Sequence, residues 1–540
     1  MSPPGMLYVT MQPKYGLPPA QFHEWYNNEH GPTRLRLPQI FSNGLRYQAT
    51  DGKEPAYLAA YDVTSMAQLE TETYLTLRAN RSPREASTIS QVDVKRYFWD
   101  LVAKKQSPLF LPIEQLSDEQ AEGIVLVAVE LGLKEHPNSE QEIQKWYEEE
   151  HFDMLSKVPG WLRSRLLKIS SLETGVPTTF ISLHEYAKEN GIGGEQHKAA
   201  MSTARHDEIL ARYGTPKDRR TYSLFYVFGP GPRDLSSLSQ LPTAASTFTS
   251  ADAKTTTTNE FGPVIKSYVT APDGLSIPYQ LEGNPDPNAP TIAFCNSLLT
   301  SLHMWDPFVE ILRAKRPKYR ILRYDTRGRN SVPSPPVPST LDTVADDLSH
   351  LLEALRIPKL DTLLGVSMGG ATTLKFALKY PAKLEKFIAC DFNAVSSPAN
   401  TQAWKDRITV AETPLEDGAP GITKLAGVTV ERWFHPATMK KTDVVQWMTD
   451  MVAANDIEGF RYGCQALWDY DMKDQMNDCK VAGLFVVGEG DGKGALVKAM
   501  DGFRALLGQK GAHLAIVPEA GHLPMCEAPG AFWEAVQDSL

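Results

Sequence analysis

No stretch of the 540-residue chain approaches the ~20 consecutive apolar residues of a membrane-spanning helix. The opening MSPPGMLYVTMQPKYG has neither the basic start nor the apolar core of a signal peptide, so the expected location is cytoplasmic. Cysteine is scarce: Cys295, Cys390, Cys464, Cys479 and Cys526 are widely spaced, odd in number and without a C-x-x-C pair. That argues against a disulfide framework or a zinc-binding set and for reduced thiols. Lys and Arg are unclustered and outnumbered 55 to 65 by Asp and Glu, giving a net charge of -10. Nucleic acid and anionic membrane surfaces, which call for clustered positive charge, are therefore not expected partners. GEGDGKGA (Gly488 to Ala495) lacks the Gly-x4-Gly-Lys-Ser/Thr spacing and does not open a G-x-G-x-x-G helix, which argues against a phosphate cradle. No metal or cofactor is expected.

What is present is a soluble globular composition, 42% hydrophobic and 22% charged, long enough for two to four domains at roughly 150 residues each. Between Pro232 and Pro263 runs DLSSLSQLPTAASTFTSADAKTTTTNEFG, a Ser/Thr/Ala-rich stretch that reads as a flexible tether over residues 233–262. Before it the chain repeats itself. FHEWYNNEHGPTRLRLPQI (Phe22 to Ile40) returns as IQKWYEEEHFDMLSKVPGW (Ile143 to Trp161), 121 positions on, with Trp25/Trp146, Tyr26/Tyr147, Glu29/Glu150, His30/His151 and Pro38/Pro159 in step. Strand-like runs flank each copy (MLYVTMQ, AYLAAYDV, KRYFWDL; EGIVLVAVEL, TTFISLHEY, TYSLFYVFG), giving a βαββαβ reading for residues 1–112 and again for 113–232. This resembles the ferredoxin-like subunits of dimeric α+β barrels, and the W-Y-x-x-E-H helix is similar to that of EthD-like proteins. Two copies in one chain are expected to pair with each other. A carboxylate beside an imidazole suits proton transfer, which makes Glu29 with His30 and Glu150 with His151 candidates for a first site.

After the tether, residues 263–540 alternate strand and helix. PTIAFCN, YRILRYD, LDTLLGVS, KLEKFIACDF, VAGLFVVGEGD and HLAIVPEAGH are short apolar runs separated by helical patterns, the mark of a doubly wound, mostly parallel sheet. A helical insertion from about 394 to 476, carrying Trp404, Trp433, Trp447 and Trp468, follows the KLEKFIACDF strand and reads as a cap.

The chemistry concentrates at LLGVSMGGA, Leu363 to Ala371. Gly-x-Ser-x-Gly between a strand and a helix is the sharp turn that exposes a serine hydroxyl, here Ser367, at a helix N-terminus. A serine needs a base, and His522 in EAGHLPMCEAPGAF follows the last strand. The imidazole needs an anion: Asp491 closes VAGLFVVGEGD and keeps the order Ser, Asp, His, while Asp391 in ACDFNA is a rival. Two backbone donors are required for the oxyanion, and Met368 and Leu298 are the candidates.

These motifs, with NSLLTSLHMWDPF, LRYDTRGR, the cap segment ERWFHPATM (Glu431 to Met439) and NDIEGFRYGCQAL (Asn455 to Leu467), resemble the α/β-hydrolase family and within it the 3-oxoadipate enol-lactonases. The resemblance implies an α/β hydrolase with a helical cap, fused to the tandem ferredoxin-like module. It also implies a metal-free hydrolase that opens a small, carboxylated lactone or ester through an acyl-serine. Trp433, Arg432 and Trp305 are then expected to contact substrate, Arg432 as a two-pronged donor to a carboxylate. The chain departs from that pattern at Arg327-Gly328-Arg329-Asn330-Ser331, where R-G-H-G-x-S is usual, at the GKG after Asp491 in place of Thr-Pro, and at Asp391. Barrels of the first type include muconolactone isomerases and polyketide cyclases or dehydratases, so a fused isomerase and lactonase makes chemical sense. Two other classes fit the same residues: a cyclase, dehydratase or C–C bond-cleaving enzyme of secondary metabolism, and a non-catalytic receptor whose pocket binds a small molecule. A small-molecule partner and a monomeric or homodimeric state complete the expectation.

Overall fold

The computed structural model describes residues 2–243, 247–416 and 418–540. The chain forms two compact units, Met1–Pro232 and Arg233–Leu540.

The first unit contains β1 (Gly5–Pro13), β2 (Leu45–Ala49), β3 (Tyr57–Val63), β4 (Val92–Gln106), β5 (Val125–Leu133), β6 (Trp161–Ile169), β7 (Thr179–Tyr186) and β8 (Gly214–Val227). They close into one barrel in the order β1-β3-β2-β8-β5-β7-β6-β4, antiparallel throughout. Each sequence copy contributes four neighbouring strands. The seams β2 with β8 and β4 with β6 join one copy to the other, so neither is left with an open edge. Alternation explains the interior: Met6, Tyr8, Leu58, Ala60, Leu126, Ala128, Leu183 and Tyr222 form one buried cluster, and residues of opposite parity pack against the outer helices. The repeated W-Y-x-x-E-H helix widens into a π-helical turn in both copies, Tyr26–His30 and Tyr147–His151, a local form common at functional sites.

The second unit is built on a ten-stranded sheet ordered β18-β17-β16-β15-β13-β14-β12-β11-β10-β9. Its strands are β9 (Thr247–Thr249), β10 (Thr256–Thr258), β11 (Val264–Thr270), β12 (Ser276–Gly283), β13 (Thr291–Cys295), β14 (Arg320–Tyr324), β15 (Leu360–Val366), β16 (Leu384–Cys390), β17 (Ala482–Gly488) and β18 (His513–Val517). From β14 to β18 the pairing is parallel, and β9 to β12 add an antiparallel edge. The parallel strands are near-continuous apolar runs, as expected of a sheet covered on both faces. Helices Pro398–Glu412, Gly421–Trp433, Thr442–Ala453 and Ile457–Cys464 stand between β16 and β17 and form the cap. Among the described residues, no helix is long and apolar enough to cross a membrane.

The flexible tether expected over 233–262 is corrected by this sheet. Its TTTT run supplies β10, which pairs with β9 and β11; Thr257 is buried and the Thr255 hydroxyl lies 2.7 Å from that of Ser267. Leu235 and Leu238 are buried on the short helix Leu235–Ser239. β-Branched threonine pairs readily along a sheet edge despite its polarity, and composition alone cannot distinguish that from a linker. Residues 244–246, also within that expectation, lie outside the described residues.

Candidate active site

Four adjacent parallel strands end at one edge of the sheet, and each hands over to a residue singled out by sequence: β15 to Ser367, β16 to Asp391, β17 to Asp491, β18 to the loop bearing His522. The carboxyl edge of such a sheet is where ligands bind. Backbone hydrogen bonds stitch these ends together: Ser367 N–H to Cys390 O at 2.9 Å, Asp391 N–H to Val486 O at 2.9 Å, Gly490 N–H to Ala520 O at 2.9 Å.

Ser367 adopts φ 60° and ψ -120°, a strained conformation for a residue with a side chain, immediately before the helix Met368–Lys379. The flanking glycines are there for space. A Cβ on Gly365 would sit 2.2 Å from Gly369 O, and one on Gly369 would sit 2.1 Å from Cys295 O. The turn therefore brings the start of this helix against the end of β13, beside the loop that carries Leu298. Leu298 and Met368 line one small cavity, and among the described residues neither N–H meets a protein acceptor. Asn296 orders the start of that loop, donating to Tyr324 O at 2.8 Å and accepting Trp305 Nε1–H at 2.9 Å. Trp305 is thus corrected: it is fully buried against Phe294, its indole turned toward the sheet, and it positions Asn296 instead of touching substrate.

His522 Nδ1–H donates to Asp491 Oδ2 at 2.7 Å. Asp391 makes no such contact. Its Oδ1 accepts Gly488 N–H at 2.8 Å, and its Oδ2 is buried beside Asp491. Burial, then the Asp491 charge, raise the Asp391 carboxyl well above the usual range, which favours its protonated form. Burial works against ionisation of Asp491 too, but His522 and a hydrogen bond from Asp391 together hold it below the usual carboxylate range. Asp491 is thus the carboxylate at the imidazole, and Asp391 stands behind it. Asp391, Asp491 and His522 also form the one cluster of three ligand-type side chains close enough for a cation among the described residues.

The cap reaches this histidine directly. Trp433, the last residue of its helix, stacks on the His522 ring at 5.8 Å, and its carbonyl accepts His522 N–H at 2.7 Å. Arg432 is exposed one residue earlier and within electrostatic range of Asp491. Glu527 is an organiser that sequence reasoning passed over: Oε1 accepts the N–H of Gly521 and of Leu523 at 3.0 and 3.1 Å, and Oε2 accepts His435 N–H from the cap at 2.7 Å. Its signal was present, a lone acid five residues past His522 in an apolar stretch. Two departures from the family pattern also acquire roles. Asn330 donates to Asp325 at 2.8 Å, and Arg329 donates to Met451 O in the cap at 3.1 Å. Gly521 sets how closely the cap approaches, because a Cβ there would lie 2.1 Å from Trp433 O. Gly521→Ala is therefore expected to push the cap from the histidine loop, costing about 1–3 kcal/mol and at least tenfold in turnover, read by thermal melts and ester hydrolysis.

The expected acid/base pairs of the first unit do not form. Glu29 is bound by Arg84 Nε–H at 2.9 Å, while His30 Nδ1 contacts Glu85 Oε1 at 2.5 Å. In the second copy Glu150 accepts the Thr203 hydroxyl at 2.5 Å, and His151 stacks on Trp146. Sequence neighbours on a helix point roughly 100° apart, so adjacency in the motif separates the two groups. Burial first, then Arg34, lower His30 to about 4; burial, then His197 and Arg219, lower His184 to about 3. The unfolded chain takes up these protons from about pH 6.5 downward and the folded barrel does not, so acid destabilises it. His30 alone contributes roughly 3 kcal/mol of that loss by pH 4. Glu85, held at about 2 in spite of burial by its hydrogen bond with His30, adds a loss of the same sign below pH 4.5. Melts of the full chain from pH 7 to 4 are expected to show a steeply falling transition that His30→Gln with His184→Gln flattens.

Residues 290–415 match the family model described as alpha/beta hydrolase fold. The second unit belongs to the α/β-hydrolase family. Among its relatives, the 3-oxoadipate enol-lactonase 2 of Acinetobacter baylyi is 29% identical over 274 residues, 50% of this chain and 95% of that protein. A hydrolase of Pseudomonas aeruginosa of known structure is 31% identical, with a TM-score of 0.45, covering 51% of this chain and 97% of its own. The enol-lactonase of Burkholderia xenovorans is 29% identical, with a TM-score of 0.44, covering 50% and 98%.

Proposed function

We propose that the hydrolase unit opens a small enol lactone or ester through an acyl-Ser367 intermediate. The observation that carries this reading is the His522–Asp491 hydrogen bond of 2.7 Å at the sheet edge where strained Ser367 also stands. The enol-lactonase relatives favour a lactone, and exposed Arg432 next to Trp433 offers a substrate carboxylate its countercharge.

In the forward step the Ser367 oxygen bonds to the carbonyl carbon while its proton passes to His522 Nε2. The N–H groups of Leu298 and Met368 hold the oxyanion, and Asp491 stabilises the imidazolium. Collapse breaks the C–O bond of the lactone, and His522 gives its proton to the departing enolate. Water, deprotonated by the same imidazole, then adds to the acyl carbon; the bond to the Ser367 oxygen breaks, the acid leaves, and His522 returns its proton to Ser367. The neutral Asp391 donates to Asp491 throughout and leaves a single negative charge behind the histidine.

The test is a fluorophosphonate label with peptide mapping, together with hydrolysis of a carboxylated enol lactone and of its methyl ester. Labelling at Ser367 and faster opening of the free acid, with the preference lost in Arg432→Met, is the expected result. An unlabelled Ser367 sinks the acyl-enzyme; equal rates for acid and ester sink the carboxylate assignment.

A further inference from the structure

In the first unit the two sequence copies share a fold but not an interior. At the 121-residue offset, Tyr61 corresponds to Ser182, Val63 to His184 and Glu85 to His206. In the first copy Tyr61 is fully buried and stacks on Phe228 at 5.9 Å, and Glu85 occupies His30 Nδ1 at 2.5 Å. That space is filled and its imidazole is committed. In the second copy the serine leaves out a whole aromatic ring, and there the structure has a cavity of about 130 Å³ lined by His151, His184, His197, His206, Tyr147 and Arg219 among apolar side chains. A void of ~150 Å³ is enough to take up benzene.

The polar groups of this cavity are arranged to accept hydrogen bonds. His184 is spent, its ring nitrogens lying 2.8 Å from Ser164 Oγ and 3.0 Å from Ser182 Oγ, and the Tyr147 hydroxyl donates to the same Ser182 at 3.0 Å. His206 contacts Asp207 Oδ1 through Nδ1 at 3.2 Å, so Nε2 is the ring nitrogen left for a ligand. His151 uses one nitrogen on the backbone of Ala200 and stands 6.4 Å from the His206 ring, nearly parallel to it. Burial, then its neighbouring imidazoles, lower its pKa well below the ordinary range, so it is an uncharged acceptor at neutral pH. These rings do not converge as metal ligands, since among the described residues the one such cluster lies at Asp391, Asp491 and His522. An uncharged acceptor suits a ligand that brings its own acidic hydroxyl, and a lining that includes Trp146, Leu155 and Met201 suits a planar apolar ring. A carboxylate here would face acceptor lone pairs, with Arg219 as the lining cation, exposed.

We propose that the cavity of the second copy is a binding site for a neutral single-ring phenol, its ring beside Trp146 and its hydroxyl held between His206 and His151. The site does not depend on Ser367, and it moves the role of this unit from the two Glu-His pairs to one cavity of the second copy.

The experiment is calorimetric titration of the full chain carrying Ser367→Ala with p-cresol, toluene and p-toluate at neutral pH. One p-cresol per chain, at least tenfold tighter than toluene, is expected, with p-toluate weakest. Ser182→Tyr, which restores the ring found in the first copy, is expected to weaken p-cresol at least 30-fold. His206→Phe, at the partly exposed side of the cavity, is expected to cost p-cresol about tenfold and leave toluene within twofold; it decides the matter if Ser182→Tyr fails to fold in a thermal melt. Toluene binding as tightly as p-cresol, p-toluate binding more tightly, no heat with millimolar p-cresol, or affinity unchanged in a folded Ser182→Tyr would each overturn the proposal.

Discussion

Ser367→Ala is expected to lower lactone or ester turnover by about 10³-fold or more and to abolish fluorophosphonate labelling, with the melting temperature little changed. The loss is that large because the attacking oxygen itself is removed; only the oxyanion donors and substrate binding remain. Ser367→Gly separates chemistry from strain. Ser367 sits at φ 60° and ψ -120°, where a side chain is crowded and glycine is not. The glycine variant is expected to be equally inactive yet about 1–3 kcal/mol more stable, the strain energy of such a conformation. Denaturant unfolding of wild type, Ser367→Ala and Ser367→Gly checks both halves. Turnover surviving in Ser367→Ala would remove the nucleophile, and equal stability of the two variants would remove the strain.

Asp491→Asn is expected to cost about 10³–10⁴-fold in kcat with KM nearly unchanged, while Asp391→Asn stays within a few-fold of wild type. The asymmetry follows from the protons. Asp491 accepts His522 Nδ1–H at 2.7 Å, so an amide there turns an N–H toward the ring and favours the wrong tautomer. Burial and the Asp491 charge push Asp391 toward its neutral form, and an asparagine reproduces that form: its oxygen can accept Gly488 N–H and its N–H can donate to Asp491. Asp391→Ala removes that donor and opens a hole beside Asp491. It is expected to raise the Asp491 pKa and move the acidic limb of the pH–rate profile upward. Kinetics of the three variants across pH 4 to 8 decide it; if Asp391→Asn proves the more damaging, the two aspartates exchange roles.

Which parts of this were legible depended on whether the signal was local. Gly365 and Gly369 around Ser367 are demanded by contacts at 2.2 and 2.1 Å, and glycine at a strand-to-helix turn announces itself in the sequence. The 121-residue repeat announced a paired barrel because its motif is long. Trp305 misled for the opposite reason: whether an indole faces a pocket or the sheet depends on the turn Leu302–Trp305 and on Asn296, neither visible in residue type. Residues 247–258 misled because threonine is common both in linkers and on sheet edges. Glu29 beside His30 misled because adjacency on a helix is separation in space, and each found its partner, Arg84 and Glu85, on another helix.

The amino-acid order by itself determined the strands, the glycine turn at Ser367, the candidate acid and base, and the doubled first half, since each is written within a few residues or as a repeat. Tertiary structure alone decided which aspartate reaches His522, that Glu527 ties the cap to the histidine loop, and that one copy of the repeat is filled while the other is hollow. Those outcomes rest on distances between residues far apart along the chain, and a hydrogen bond or a void exists only once folding has set them.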